Sequence, residues 1–160
     1  MFYFKPVARY NFEPTFKLLI MTNQIYPCLW FDGQAKAAAD YYCSIFKNSR
    51  ITSENPMVVI FELNGKKIMG LNGGPKYKFS PATSFVVECE TQAEIDYFWE
   101  KLGDGGRYDQ CGWLDDKFGL SWQIVPAILG KLMSDPERAP RVIETYMKMT
   151  KFNIQQLESA

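Results

Sequence analysis

One pattern of secondary structure occurs twice along the chain, and it restricts the fold more than any other feature. The first copy begins with an apolar strand at 26–31, and an amphipathic helix follows at 34–47. Asn64-Gly65 is then the preferred two-residue turn of a β-hairpin between strands 57–63 and 66–71. A short, polar additional strand begins at Ile51.

The pattern restarts after a loop that runs from Asn72 to Pro81. A strand at 83–89 is followed by Thr91 and Glu94, which have the spacing of a capping box at the start of a helix. Strands at 111–114 and 121–125 then form a hairpin. The sequence therefore predicts an α+β protein in which one unit is duplicated.

The predicted boundaries divide the chain into a leader and one domain. The leader covers residues 1–24. It is interpreted either as the product of an upstream start codon or as an arm that docks on a partner subunit. The domain covers residues 25–157 and contains modules 25–75 and 82–126, followed by C-terminal helices near 127–133 and 140–149.

Composition excludes several classes of function. Eighteen basic and 18 acidic residues give a formal charge of zero, so nothing in the charge points to nucleic acid or to a membrane surface. The absence of histidine removes the usual general base and every Ser-His or Cys-His nucleophile. Four cysteines without a CxxC pair predict free thiols in a reducing cytoplasm.

Five blocks of residues carry a resemblance to a known family. The blocks are Leu29-Trp-Phe-Asp-Gly-Gln-Ala35, Tyr42-x-x-x-Phe46, Phe61-Glu-Leu-Asn-Gly65, Leu71-Asn-Gly-Gly-Pro75 and the whole of 110–126. Over residues 25 to about 157 the chain resembles the PhnB-like family, which carries the name 3-demethylubiquinone-9 3-methyltransferase, within the vicinal oxygen chelate superfamily that includes glyoxalases and bleomycin resistance proteins. This resemblance implies two βαβββ modules that curl around a cleft (a glyoxalase-like fold) and a homodimer in which two chains can share that cleft. The segment between Ile51 and Met57 is shorter than the resemblance leads us to expect, so the second strand or its loop is trimmed.

The family name implies methyl transfer, but the sequence lacks the parts for it. A common methyltransferase binds S-adenosylmethionine at a glycine-rich turn of a parallel sheet, whereas Gly73-Gly74 and 103–106 lie in loops of a largely antiparallel pattern. The glycines of this chain are therefore interpreted as turn and helix-end residues.

The resemblance also implies where a metal ion would bind. Enzymes of the superfamily hold a divalent cation with His and Glu side chains on the first and last strands of each module. The last ligand position is Gln123 here, and the other candidate positions hold Ile25 or Tyr26, Met69 or Leu71, and Thr83 or Ser84. A neutral amide among apolar side chains holds a divalent cation poorly, so the sequence predicts no metal and no cofactor.

The candidate ligand-binding residues are three tryptophans, an asparagine and a glutamine: Trp30, Asn72, Trp113, Trp122 and Gln123. The tryptophans form either an aromatic cage or part of the core, and Asn72 orients a ligand or forms a turn. Gln123 binds a ligand or is a satisfied buried amide. We interpret Asp32 as a helix cap and Asp115, Asp116 and Lys117 as a solvated hairpin tip.

The sequence thus favours a cytoplasmic, metal-free protein that binds a small molecule. Two alternatives stay open at this stage. One is an enzyme of the superfamily that uses the same cleft, and the other is a dimeric module whose role is to bind a partner protein.

Overall fold

We describe the protein from a computed structural model in which residues 24–160 are placed. Except for Gln24, the predicted leader and its docking arm lie outside the described residues. None of the described helices is long and apolar enough to cross a membrane.

The first module contains four strands and one helix. In chain order they are β1 (Cys28–Phe31), α1 (Ala35–Ile45), β2 (Arg50–Glu54), β3 (Val58–Leu63) and β4 (Lys66–Asn72). The strands form a sheet in the order β1-β4-β3-β2, in which β1 runs parallel to β4 and the other neighbours are antiparallel. We call this sheet A.

The second module repeats this arrangement. Its elements are β5 (Ser84–Cys89), α2 (Gln92–Gly103), β6 (Arg107–Tyr108), β7 (Trp113–Asp115) and β8 (Ser121–Pro126). They form sheet B in the order β5-β8-β7-β6, with the same parallel first pair. The strand pattern did not predict β6, because two exposed residues are too short for a period-two signal.

The fold class is confirmed as α+β with two βαβββ modules, and among the described residues the two sheets remain separate.

Three C-terminal helices follow: α3 (Ile128–Met133), α4 (Ala139–Tyr146) and α5 (Ile154–Glu158). Gln92 of α2 holds this segment, since its amide donates to the carbonyl of Phe152 (3.1 Å) and accepts from the backbone N–H of Ile154 (2.9 Å).

Each helix covers one face of its own sheet. The buried residues of α1 share one helical stripe, as the sequence predicts: Ala35, Ala38, Ala39, Tyr42 and Ile45. Leu29, Phe31, Val59 and Phe61 lie beneath them on sheet A and are buried as well. The alternate residues of the same strands lie on the opposite face, which no helix of the first module covers.

The two helices lie together between the two sheets. The ring of Trp122, on the helix-covered face of sheet B, lies with its centroid 5.4 Å from those of both Tyr42 and Phe46 of α1. Phe46 in turn stacks on Phe98 of α2, with 5.1 Å between ring centroids. The helix-covered faces of the sheets therefore turn toward each other, and their other faces point outward.

Candidate functional site

The outward faces of the two sheets carry most of the predicted site. We define the first open face as the apolar residues of sheet A that lie on the same side as Trp30: Cys28, Trp30, Val58, Ile60, Met69 and Leu71. The charged residues Arg50, Glu62 and Lys67 lie on the same side, further along the strands. We define the second open face as the part of sheet B around Gln123 on the corresponding side: Ser84, Val86, Trp113, Gln123 and Val125. The same side also carries Glu88, Arg107, Asp115 and Ser121. The side chains of the two open faces are half-buried or exposed; Val86, for example, is 56% exposed.

Trp30 offers its ring but not its N–H to a ligand. Its indole N–H donates to the carbonyl oxygen of Gly74 at 2.8 Å, and Tyr77 contacts the ring edge-on with 5.0 Å between centroids. Gly73 is required beneath this ring, because a Cβ atom there would overlap the indole. The Gly73-Gly74 pair therefore packs and orients Trp30.

Gln123 and Trp113 lie side by side on the second open face, as directly paired residues of β8 and β7. The Gln123 side-chain amide donates to the Ser84 hydroxyl oxygen at 2.8 Å. Both side chains are half-buried. This arrangement brings two of the five predicted site residues together and adds Ser84, one of the two fifth-strand residues, Thr83 or Ser84, at which the resemblance would place a metal ligand.

A cavity of about 310 Å³ adjoins Trp113 at the end of the β6–β7 pair. Its lining includes Arg107, Cys111 and Asp115. The Arg107 guanidinium is paired with Asp115 at 2.7 Å, and the Ser121 hydroxyl donates to the other oxygen of that carboxylate. A second depression, of about 520 Å³, lies between α1 and β2 and contains none of the predicted site residues.

Trp122 belongs to the interior. It is 2% exposed, and its indole N–H donates to the Asp116 carboxylate at 2.9 Å. Of the two roles left open by the sequence, the geometry favours the core for Trp122, and we leave it out of the proposed site.

The prediction of a solvated tip is wrong for Asp116, which is 3% exposed. Its carboxylate accepts hydrogen bonds from the Tyr42 hydroxyl (2.7 Å), from Trp122 and from the backbone N–H groups of Phe118 (2.8 Å) and Leu120 (3.1 Å). Burial raises the pKa of this carboxyl, and the four donors act against the rise. The sequence could not show this, because Tyr42 comes from the other module.

The prediction that Asp32 caps α1 is also wrong. Asp32 is exposed, and the residue at the helix start, Gln34, makes no side-chain cap. Asn72 takes this role from the end of β4, since its side-chain oxygen accepts from the backbone N–H of Ala35 at 2.9 Å. Its amide also donates to the carbonyl of Pro56 at 2.9 Å, so both ends of the side chain have structural partners.

We expect Asn72→Ala to lower the free energy of unfolding by about 1–2 kcal/mol, as the loss of a helix cap does. Urea denaturation followed by circular dichroism measures this. Asn72→Asp keeps an acceptor for Ala35 and adds a negative charge at the helix start, so it should be less destabilising than Ala. Equal stability of Asn72→Ala and the parent protein would show that Asn72 is not a cap.

Within residues 24–160, no three His, Cys, Asp or Glu side chains gather as a metal site would require. Of the two carboxylates on the same side of sheet B, Asp115 already binds Arg107 and Ser121, which leaves only the exposed Glu88. The donors present around Gln123 therefore do not fit a divalent cation, and the absence of a metal stays a prediction.

Comparison with known proteins establishes the family. The model of the family described as 3-demethylubiquinone-9 3-methyltransferase matches residues 23–125. The chain belongs to this family. A comparison with curated proteins finds no match.

The chain is similar to several solved structures. A PhnB protein from Bacillus cereus, which bears the same methyltransferase name, is 32% identical with a TM-score of 0.60; the match covers 66% of this chain and 100% of that one. A protein from Pseudomonas aeruginosa shares the fold at 18% identity and a TM-score of 0.54, over 66% of this chain and 98% of that one. A glyoxalase-related enzyme from Fulvimarina pelagi is 15% identical with a TM-score of 0.49, over 66% and 89% of the two chains. The family predicted from the residue blocks is confirmed.

Proposed function

We propose that this member of the family binds a small molecule, without a metal ion, in a cleft between the two open faces defined above. One observation carries the proposal. Each sheet has one face covered by its own helix and a second, outward face that carries apolar and aromatic side chains. Apolar side chains on an uncovered surface mark a place where a ligand or another chain binds.

The positions of the helices decide how the two faces meet. Because both helices lie between the sheets, the two open faces of one chain point away from each other. A closed cleft therefore needs a second chain, and we pair the first open face of one copy with the second open face of the other. We infer a homodimer in which each cleft is lined by both copies, with Trp30 from one chain and Trp113 and Gln123 from the other.

The chemistry of the faces supports binding by shape and hydrogen bonds. Ligand pockets are lined mostly by apolar and aromatic groups with a few placed polar groups, and Trp30, Trp113 and Gln123 provide both kinds. We place the protein in the cytoplasm, since the cysteines of the described residues are all free thiols.

A metabolite screen by thermal shift tests the proposal. A compound that binds only the folded protein raises the melting temperature by mass action. We expect Gln123→Ala to lose most of that shift, whereas Gln155→Ala, which changes an exposed glutamine on α5, should keep it. Sedimentation equilibrium of the same samples should give twice the mass of one chain.

Three results would contradict parts of the proposal. A shift that is unchanged in Gln123→Ala would place the ligand elsewhere. Stoichiometric bound metal in the purified protein would favour the enzyme alternative instead. A monomer that binds ligand with full affinity would rule out a cleft shared between two copies.

A further inference from the structure

The two open faces differ in chemistry, and the first of them is apolar. Its side chains come from three neighbouring strands, with Trp30 beside Leu71 and Cys28 beside Met69 in the parallel pair of β1 and β4. Val58 and Ile60 continue this surface on β3, opposite Leu71 and Met69. This surface suits the hydrocarbon part of a ligand, since burying apolar area is worth about 25 cal/mol per Å².

The second open face places an uncharged polar pair next to an aromatic ring. Gln123 gives one N–H to the Ser84 oxygen. Within the described residues, the carbonyl oxygen of the Gln123 side chain and the Ser84 hydroxyl hydrogen have no other partner. An amide oxygen accepts and a hydroxyl donates, so together they match a ligand group that has both a donor and an acceptor.

The charged side chains near these surfaces are mostly engaged. Arg50 and Glu62 form an ion pair at 3.1 Å on the first sheet, and Lys67 lies 4.1 Å above the ring of Tyr26. On the second sheet, Arg107 pairs with Asp115 at 2.7 Å. Glu88 is exposed, has no ion pair among the described residues, and lies on the same side beside Val125, two residues along β5 from the partner of Gln123. In the described part of sheet B, the Gln123–Ser84 pair therefore has one unpaired charge in its neighbourhood, an exposed carboxylate, and no free cation.

We propose that the ligand of this site is an uncharged amphipathic molecule. Its aromatic or aliphatic body lies against the first open face, and a neutral hydrogen-bonding group, such as an amide or an alcohol, binds Gln123 and Ser84. The proposal rests on the proposed function and adds the class of ligand. The physical reason is desolvation: within residues 24–160, a buried anion would meet no free cation beside Gln123, and the exposed, solvated Glu88 carboxylate would offset little of the cost of burying a cation.

A matched set of probes tests the class directly. We would titrate the purified protein with 2-naphthamide, 2-naphthoate and 2-naphthylmethylammonium, which share one aromatic body and differ in charge. Calorimetry or quenching of tryptophan fluorescence gives the dissociation constants. We expect the amide to bind at least ten-fold more tightly than either charged probe.

Substitution at Gln123 separates recognition of the polar group from binding of the aromatic body. Gln123→Leu keeps the approximate size and removes the amide, so it should weaken 2-naphthamide about ten-fold and leave the charged probes nearly unchanged. Gln155→Leu is the matched control and should change none of the three. Circular dichroism spectra and melting temperatures confirm that both variants fold.

Other results of these titrations would contradict the ligand class or the proposed function. Preference for the carboxylate or the ammonium would overturn the ligand class and leave a small-molecule site in place. Equal weakening of all three probes in Gln123→Leu would also overturn the inference, since the amide would then not select the neutral group. If no probe binds but the metabolite screen finds a ligand that depends on Gln123, the result contradicts the proposed ligand class and leaves the proposed function in place. If neither experiment finds a ligand, the proposed function is contradicted as well.

Discussion

Asp116→Ala is expected to lower the free energy of unfolding by about 4 kcal/mol. The change leaves the buried hydroxyl of Tyr42 and the buried indole N–H of Trp122 without their acceptor. Each buried donor that loses its only partner costs about 1–3 kcal/mol, and the backbone donors of the turn lose theirs too. Because a domain has only about 5–15 kcal/mol of stability, this is a large fraction of the total. Urea denaturation monitored by tryptophan fluorescence measures the effect.

Asp116→Asn refines the test, since an amide has one oxygen where the carboxylate has two. Whichever way the amide turns, its NH₂ group faces at least one N–H donor, so Asn should cost about 1–3 kcal/mol. Asp32→Asn is the control, because Asp32 is exposed and makes no cap; it should change stability by less than about 0.5 kcal/mol. Parent-like stability of Asp116→Ala would show that the carboxylate does not hold the modules together.

Gly112→Ala should cost about 3 kcal/mol or more. The residue has φ +77°, and an added Cβ would lie 2.6 Å from the carbonyl oxygen of Ile124 and 2.6 Å from the ring of Phe152. The left-handed conformation alone costs an L-residue about 1–2 kcal/mol, and the contact with rigid backbone adds to it. Denaturant unfolding together with limited proteolysis of the C-terminal segment measures the loss.

Gly119→Ala separates strain from crowding. Gly119 has φ +84°, but nothing lies within 4 Å of an added Cβ, so its cost should remain about 1–2 kcal/mol. If the two alanine variants were equally stable, the close packing of Phe152 over Gly112 would not contribute to stability. A larger loss at Gly112 would show that crowding against Ile124 and Phe152 adds to the strain of the left-handed conformation.

The location of Asp116 has a consequence for the proposed dimer. Its bond to Tyr42 joins the turn before β8 to α1, in the layer where the two modules meet. Together with the aromatic contacts of Tyr42 and Phe46 with Trp122, this contact joins the helix-covered faces of the two modules. In the proposed dimer, a protein that loses it should lose the alignment of the cleft halves as well as stability.

Local sequence patterns determined most of the architecture. The apolar stripe of α1, the capping box of Thr91 and Glu94, and the Asn64-Gly65 turn all act between residues close in sequence, so their effect can be read without the rest of the chain. The residue blocks also determined the family.

Only the tertiary structure decided what individual polar and aromatic side chains do. Asn72 caps a helix that begins 37 residues earlier in the chain, and Asp116 accepts from a tyrosine 74 residues away. Trp113 and Trp122 lie on neighbouring strands, yet one lies on the outward face and the other in the interior. The register pairs Trp122 with Leu114, the residue after Trp113, and successive residues of a strand point to opposite faces. Which face is covered depends on where both helices pack, and that packing joins residues far apart in the sequence.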